Sequence, residues 1–159
     1  MEMIMNKSID LNQFKIDQIG YVYRDIQKQA KLLEESLKLP KFSFLENRDT
    51  PYEYRGKPTI ISTKLAFSRT LSTQIELIQH ISGDCIFKEF LDEKRREGLH
   101  HFGIFVDQLN PIIDYYKKEG FEIVHSGLTA GRQKVAYLDT YDLLGVYLEF
   151  QETIKRRKK

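Results

Sequence analysis

Cysteine is nearly absent: the chain of 159 residues holds one, Cys85. No disulfide can form within it, so the fold must stand on its core, and a reducing, cytoplasmic setting is expected. A catalytic thiol is not favoured, because Cys85 sits in a helical pattern with Ile86, Phe87, Phe90 and Leu91. In such a place cysteine serves as a small hydrophobe. Long apolar runs are missing too: no stretch approaches the ~18 residues of a membrane span. Met1–Ile9 carries Glu2 and no small-residue cleavage pattern, so it does not read as a secretion signal. Nor is there an excess of one charge. The formal net charge is +2, too near neutrality to indicate a nucleic-acid partner. The one basic cluster, Lys155–Lys159, reads as a solvated tail. The glycines of Gly127–Gly131 are too few and wrongly spaced for a phosphate loop and read as a turn.

What is present is the composition of an ordinary globular domain, 41% hydrophobic and 30% charged, in a length that suits one domain. The sequence also repeats itself. Ile16–Ile26 superposes on Leu99–Leu109 at an offset of 83, with Ile19 on Phe102, Gly20 on Gly103, Val22 on Phe105 and Gln18 on His101. Each segment leads into a helical pattern. In the first, Ile26, Ala30, Leu33 and Leu37 share a face and Asp25 is placed to cap. In the second, Asn110 is placed to cap, Pro111 to take the first helical position and Gly120 to stop the helix. Strand-like runs follow: Lys41–Leu45, Thr59–Phe67 and Thr73–Gln79 in the first half, and Phe121–His125, Gln133–Leu138 and Gly145–Gln151 in the second. Lys64–Thr70 matches Lys134–Thr140 at an offset of 70, and at an offset of 73 Glu76 falls on Glu149.

The expected architecture is therefore α+β: two tandem βαβββ modules forming a curled mixed sheet around a shared cleft. The first module covers 15–80, a linking segment 81–98 with a helix over Asp84–Arg96, the second module 99–152 and the basic tail 153–159. Residues 1–14 form an irregular lead.

The alternation of side chains along a strand decides what faces the cleft. Gln18 shares a face with Ile16, Gly20 and Val22, and His101 shares one with Leu99, Gly103 and Phe105. Glu76 and Glu149 are each flanked by apolar residues. A lone glutamate in a strand ordinarily faces solvent. Four polar groups at repeat-equivalent positions are harder to assign to chance. An imidazole, an amide oxygen and two carboxylates together form a site for a divalent metal ion (Zn, Ni, Co, Mn or Mg) with open positions.

These segments, above all IDQIGYVYRD, TQIELIQ, GLHHFGIFVD and GRQKVAYLDTYDLLGVYLEF, resemble the glyoxalase or vicinal oxygen chelate superfamily, including its methylmalonyl-CoA epimerase and lactoylglutathione lyase branch. The resemblance implies paired βαβββ modules, a metal held by Gln18, Glu76, His101 and Glu149, and commonly a homodimer. The Gln, Glu, His, Glu set is similar to that of zinc-type lactoylglutathione lyases. Epimerases carry His and Gln at the positions of Gln18 and Glu76, and a catalytic glutamate near Thr59–Phe67, where this chain has no carboxylate. The activity implied is a metal-dependent lyase or isomerase that moves a proton beside a chelated carbonyl, with Glu149 or alternatively Glu76 handling the proton. Arg55, Arg132 and Tyr137 are the candidate substrate contacts, and His100 is expected on the face opposite His101. The alternative is a drug-binding protein of the bleomycin-resistance type, whose members lack the ligand set.

Overall fold

The computed structural model describes residues 10–155. The expectations for Met1–Ile9 and for the last four residues of the basic tail lie outside that range. Eight strands close into a barrel in the order β1-β4-β3-β2-β6-β7-β8-β5. The first half supplies β1 (Gln18–Val22), α1 (Ile26–Leu37), β2 (Ser43–Tyr54), β3 (Lys57–Thr70) and β4 (Thr73–Ser82). The second supplies β5 (Gly98–Phe105), α3 (Leu109–Lys118), β6 (Ile123–Thr129), β7 (Gln133–Leu138) and β8 (Tyr147–Thr153), with a short α4 (Tyr141–Leu144) before the last strand. Between them lies α2, a single turn at Ile86–Lys88 that widens into a π-helical turn at Glu89–Glu93. The order strand, helix, three strands thus occurs twice, and the curled sheet closes because β1 pairs with β5 and β2 pairs with β6.

Helices cover the barrel from outside. Ile26 and Ala30 of α1 pack on Ala66 and Leu77, and Leu109 and Tyr116 of α3 pack on Ala136, Leu148 and Phe150. The interior is a third cluster, in which Phe87 and Phe90 of α2 meet Ile61, Leu65, Val135 and Tyr147. Strands buried on both faces read as nearly continuous apolar runs. This is why Glu76 and Glu149 have apolar neighbours: Leu77 and Leu148 point out under helices while the carboxylates point in.

Several boundaries differ from expectation. β2 runs on to Tyr54 and not merely to Leu45. Its middle, ENRDTP, has weak strand propensity and a register shift between Asn47 and Thr50, so pairing with β3 and β6, not local preference, extends it. The stretch YEYRGK is the end of a hairpin. Arg55 and Gly56, at φ 48° and 80°, form a two-residue turn of the type whose two centres both need positive φ. β6 continues to Thr129, which shortens the expected turn at Gly127–Gly131. The linking helix is shorter than Asp84–Arg96.

Asp25 caps α1 by accepting a hydrogen bond from the Lys28 backbone N–H at 3.1 Å. Asn110 does not cap α3. Gln108 holds the N-cap position, without a side-chain bond, and Asn110 lies inside the helix, where it accepts a bond from Lys134 Nζ. Gln108 is the repeat equivalent of Asp25, so the repeat itself pointed to the right residue.

Candidate metal centre

β1 and β5 run antiparallel at the seam between the halves, with Gln18 opposite Gly103 and Gly20 opposite His101. Each polar residue therefore lies over the glycine of the other half. A Cβ on Gly20 would stand 2.0 Å from His101 Cε1, and one on Gly103 would stand 2.8 Å from Gln18 Oε1. Only glycine leaves room for those side chains. The recurrence of Gly20 and Gly103 in the repeat has this steric cause. β4 and β8, parallel to β1 and β5 respectively, bring Glu76 and Glu149 to the same place.

Four buried donors converge there. His101 Nε2 lies 3.3 Å from Gln18 Oε1, 3.3 Å from Glu76 Oε1 and 3.2 Å from Glu149 Oε2. Atoms held ~2.1 Å from one cation at tetrahedral to octahedral angles stand about 3.0–3.4 Å apart, so the spacing fits a dication. The donor chemistry fits it too: a nitrogen and three oxygens, two of them carboxylate. Glu76, His101 and Glu149 can hold a metal ion, and Gln18 can add a fourth donor.

Surrounding glutamines aim these donors. Gln18 Nε2 donates to Gln74 Oε1 at 2.7 Å, which turns Gln18 Oε1 toward His101. Gln151 Nε2 donates to Gln18 Oε1 at 2.9 Å and to Glu149 Oε2 at 2.7 Å. Gln133 Nε2 in turn donates to Gln151 Oε1 at 3.1 Å. The sequence reading missed Gln74 and Gln151. Their signal was parity, since each stands two residues from a glutamate and shares its face.

His100 also departs from expectation. It is not on the opposite face but fully buried beside His101, with their Nδ1 atoms 3.0 Å apart. Gly20 pairs with His101 and Tyr21 with Leu99, so His100 is the extra residue of a β-bulge. The bulge turns His100 inward and leaves Leu99 half exposed. When His101 Nε2 presents its lone pair to a cation, its proton sits on Nδ1 and is donated to Nδ1 of His100. Such partners fix the ring and tautomer of a ligating histidine.

The electrostatics of the cluster follow from burial. Burial opposes a charge on His101, but Glu149 and Glu76 outweigh it and hold its pKa up at about 9. Burial raises Glu76, against the hydrogen bond from His101 and with help from Glu149. Burial, then His101, pushes His100 well below the ordinary histidine range. Burial and the two glutamates push the Tyr137 phenol well up. Cys85 is buried in the core, its thiol raised to about 11 by burial, as suits an inert residue.

Above the cluster opens a cavity of about 280 Å³. Gln18, Glu76 and Glu149 form its polar floor. β3 contributes Ile61, Thr63, Leu65 and Phe67 to the walls and no carboxylate. Tyr137 lines it, with its ring centre 5.2 Å from that of His101, and Arg132 borders it. Arg55 does not line it. Its guanidinium is taken by Glu89, at 2.9 Å and 2.7 Å, and Tyr54 hydrogen-bonds the same carboxylate. The structure thus brings Gln18, Glu76, Glu149, Tyr137 and Arg132 to the lining of one chamber, with His101 buried against its floor, and leaves Arg55 in an ion pair outside it.

Among solved structures, the hypothetical protein BH1468 from Bacillus halodurans C-125 matches at 26% identity and TM-score 0.65, over 91% of this chain and 98% of that one. Methylmalonyl-CoA epimerase from Mycobacterium tuberculosis matches at 16% identity and TM-score 0.64, over 95% and 96%. A variant of the Streptomyces coelicolor epimerase in complex with 2-nitronate-propionyl-CoA matches at 15% identity and TM-score 0.68, over 92% and 99%. The likeness to the epimerases is one of fold. No curated protein matches the sequence. Residues 17–137 match the model of the Glyoxalase/Bleomycin resistance protein/Dioxygenase superfamily, and with its twice-repeated βαβββ unit the chain belongs to that superfamily.

Proposed function

We propose that the chain is a divalent-metal-dependent lyase or isomerase that moves a proton at a carbon beside a carbonyl. The observation that carries this reading is the meeting of Gln18, Glu76, His101 and Glu149 around one point at the floor of a single chamber. These four residues would hold the ion. When bound, a dication supplies Lewis-acid stabilisation of negative charge on substrate oxygens.

The chain's own residues do the rest. Glu149 takes and returns the proton, with Gln151 holding its Oε2 in place, and Glu76 is the alternative proton carrier. Ile61, Leu65, Phe67 and Phe87 give the chamber an apolar side, beside which the fixed charges of its floor act more strongly than in water. Tyr137 and Arg132 contact the substrate. The donor set Gln, Glu, His, Glu favours a lactoylglutathione-lyase-like reaction. The walls offer no further carboxylate from β3, which weighs against an epimerase-like one. A homodimer and a cytoplasmic setting belong to the same proposal; among the described residues no helix is long and apolar enough to cross a membrane.

The test is metal content after purification in chelator-free buffer, followed by incubation in heavy water with methylmalonyl-CoA and with hemithioacetals of several thiols. Enzyme-dependent deuterium at the α carbon is expected, reduced about 10²- to 10⁴-fold in Glu149→Gln. A metal-loaded protein that labels none of these compounds refutes the proton-transfer reading.

A further inference from the structure

The chamber wall runs from the metal floor to the mouth along two paired strands. Glu149, Gln151 and Thr153 of β8 face in at alternate positions, and Tyr137, Val135 and Gln133 of β7 stand opposite them. These rows end at Arg132, the residue that precedes β7. Its backbone is fixed. The Arg132 N–H donates to the Thr129 carbonyl at 3.1 Å across a turn whose centres, Ala130 and Gly131, have φ of 52° and 66°. The Arg132 carbonyl accepts from the Ile154 N–H at 2.8 Å, and the Ala130 N–H donates to Oδ1 of the buried Asn47 at 3.1 Å. The guanidinium, by contrast, is uncommitted. The side chain is exposed, and among the described residues it has no ion pair or hydrogen bond. Glu152, a carboxylate of the adjacent strand, is taken by Lys134 at 3.5 Å.

Arg132 is also the one cation among the residues that line the chamber. The carboxylates of the lining, Glu76 and Glu149, lie at the floor, where a dication would balance them. His125, the one histidine of the lining, is kept neutral near pH 7 by burial, which holds its pKa down at about 3. The mouth is thus left with positive charge that nothing in the chamber cancels. We propose that Arg132 is the anion-binding end of the chamber, where it pairs with a carboxylate or phosphate on a substrate whose other end reaches the metal. The proposal deepens the functional reading above and rests on its assignment of the cavity as the substrate chamber. Glu149 and Thr153 are separated by about 13 Å of strand, and the arginine side chain reaches back over part of that distance. The substrate is therefore extended, with on the order of 10 Å between the oxygens at the metal and the anion. A guanidinium suits that anion because its planar fork of donors can form two parallel bonds to it. Thr129, Gln133 and Thr153 keep the surrounding mouth polar.

The probes are three benzohydroxamates, whose two neighbouring oxygens chelate zinc and whose para position carries a carboxymethyl, a phosphonomethyl or an uncharged carbamoylmethyl group. Affinity is read by isothermal titration calorimetry on the zinc-supplemented protein. The Nε–H signal of Arg132, assigned by its loss in Arg132→Gln, is followed by NMR in both chelator-treated and zinc-supplemented protein. At least one of the two anionic probes should bind the zinc-loaded protein about three- to tenfold more tightly than the carbamoyl probe, and their ranking tells carboxylate from phosphate. The preference should vanish in Arg132→Gln, return in part in Arg132→Lys and shrink with added salt. The proposal is overturned if the carbamoyl probe binds as tightly as both anions, if Arg132→Gln keeps the preference, or if neither anion moves the Arg132 signal. A protein that binds no zinc, yet whose Arg132 signal moves with the anionic probes and not with the carbamoyl one, would refute the metal-dependent chemistry and leave this site standing. A zinc-loaded protein that chelates all three probes alike would do the reverse.

Discussion

Raising the pH should destabilise the metal-free protein, and a bound dication should suppress that loss. His101 is fully buried, and the paired carboxylates lift its pKa from an ordinary value near 6.5 to about 9. A histidine whose folded pKa is raised contributes stability that is fully present below its unfolded pKa and disappears as pH rises through the folded one. The window is therefore pH 6.5 to about 9. A shift of that size corresponds to roughly 3 kcal/mol. For a chain of this length it lowers Tm by roughly 6–12 °C. Glu76, also raised, acts in the same direction, because its buried carboxyl is best tolerated while protonated. Physically, deprotonating His101 leaves two buried carboxylates without a cation between them. A metal ion replaces the proton, so its apparent affinity should climb about tenfold per pH unit below pH 9. The assay is differential scanning fluorimetry from pH 6.5 to 9.5 with chelator and with zinc, joined to competition against a chromophoric chelator at each pH. The reasoning fails if the chelated protein is as stable at pH 9.5 as at 6.5, or if metal affinity is flat across the range.

Three further outcomes follow from the geometry. Gly20→Ala places a Cβ 2.0 Å from His101 Cε1, so it should cost about 1–3 kcal/mol and weaken metal binding, read by thermal melts and metal titration. His100→Leu keeps much of the buried volume but removes the partner of His101 Nδ1, so metal affinity should fall about 10- to 100-fold with the circular dichroism spectrum unchanged. Arg55→Ala removes the cation paired with the Glu89 carboxylate and should lower stability by about 1–2 kcal/mol, allowing for a side chain that is 40% exposed. Metal content and probe binding should stay as in the wild type, and a loss of either would return Arg55 to the substrate chamber.

Much of the architecture was legible in one dimension because the chain states it twice. The alignment of Gln18 with His101 and of Glu76 with Glu149 needed only an offset and the two-residue period of a strand, and the structure brings these four side chains together. Where local signals were weak or ambiguous, the reading slipped. β2 crosses a charged, proline-containing stretch that only its neighbours hold extended. The cap of α3 was placed on Asn110, a better capping residue than Gln108, although the repeat favoured the latter. Arg55, a candidate substrate contact by sequence, is instead held in an ion pair by Glu89 of α2.

The period of the strands and the duplication of the chain determined the two modules, the inward side chains and the kind of atoms they offer. Tertiary structure alone decided that the sheet closes completely, that a bulge turns His100 inward, and that His125 joins the chamber. These depend on pairings between residues far apart in the chain. Periodicity reports which face a side chain takes, whereas register and bulges between distant strands decide what it meets there.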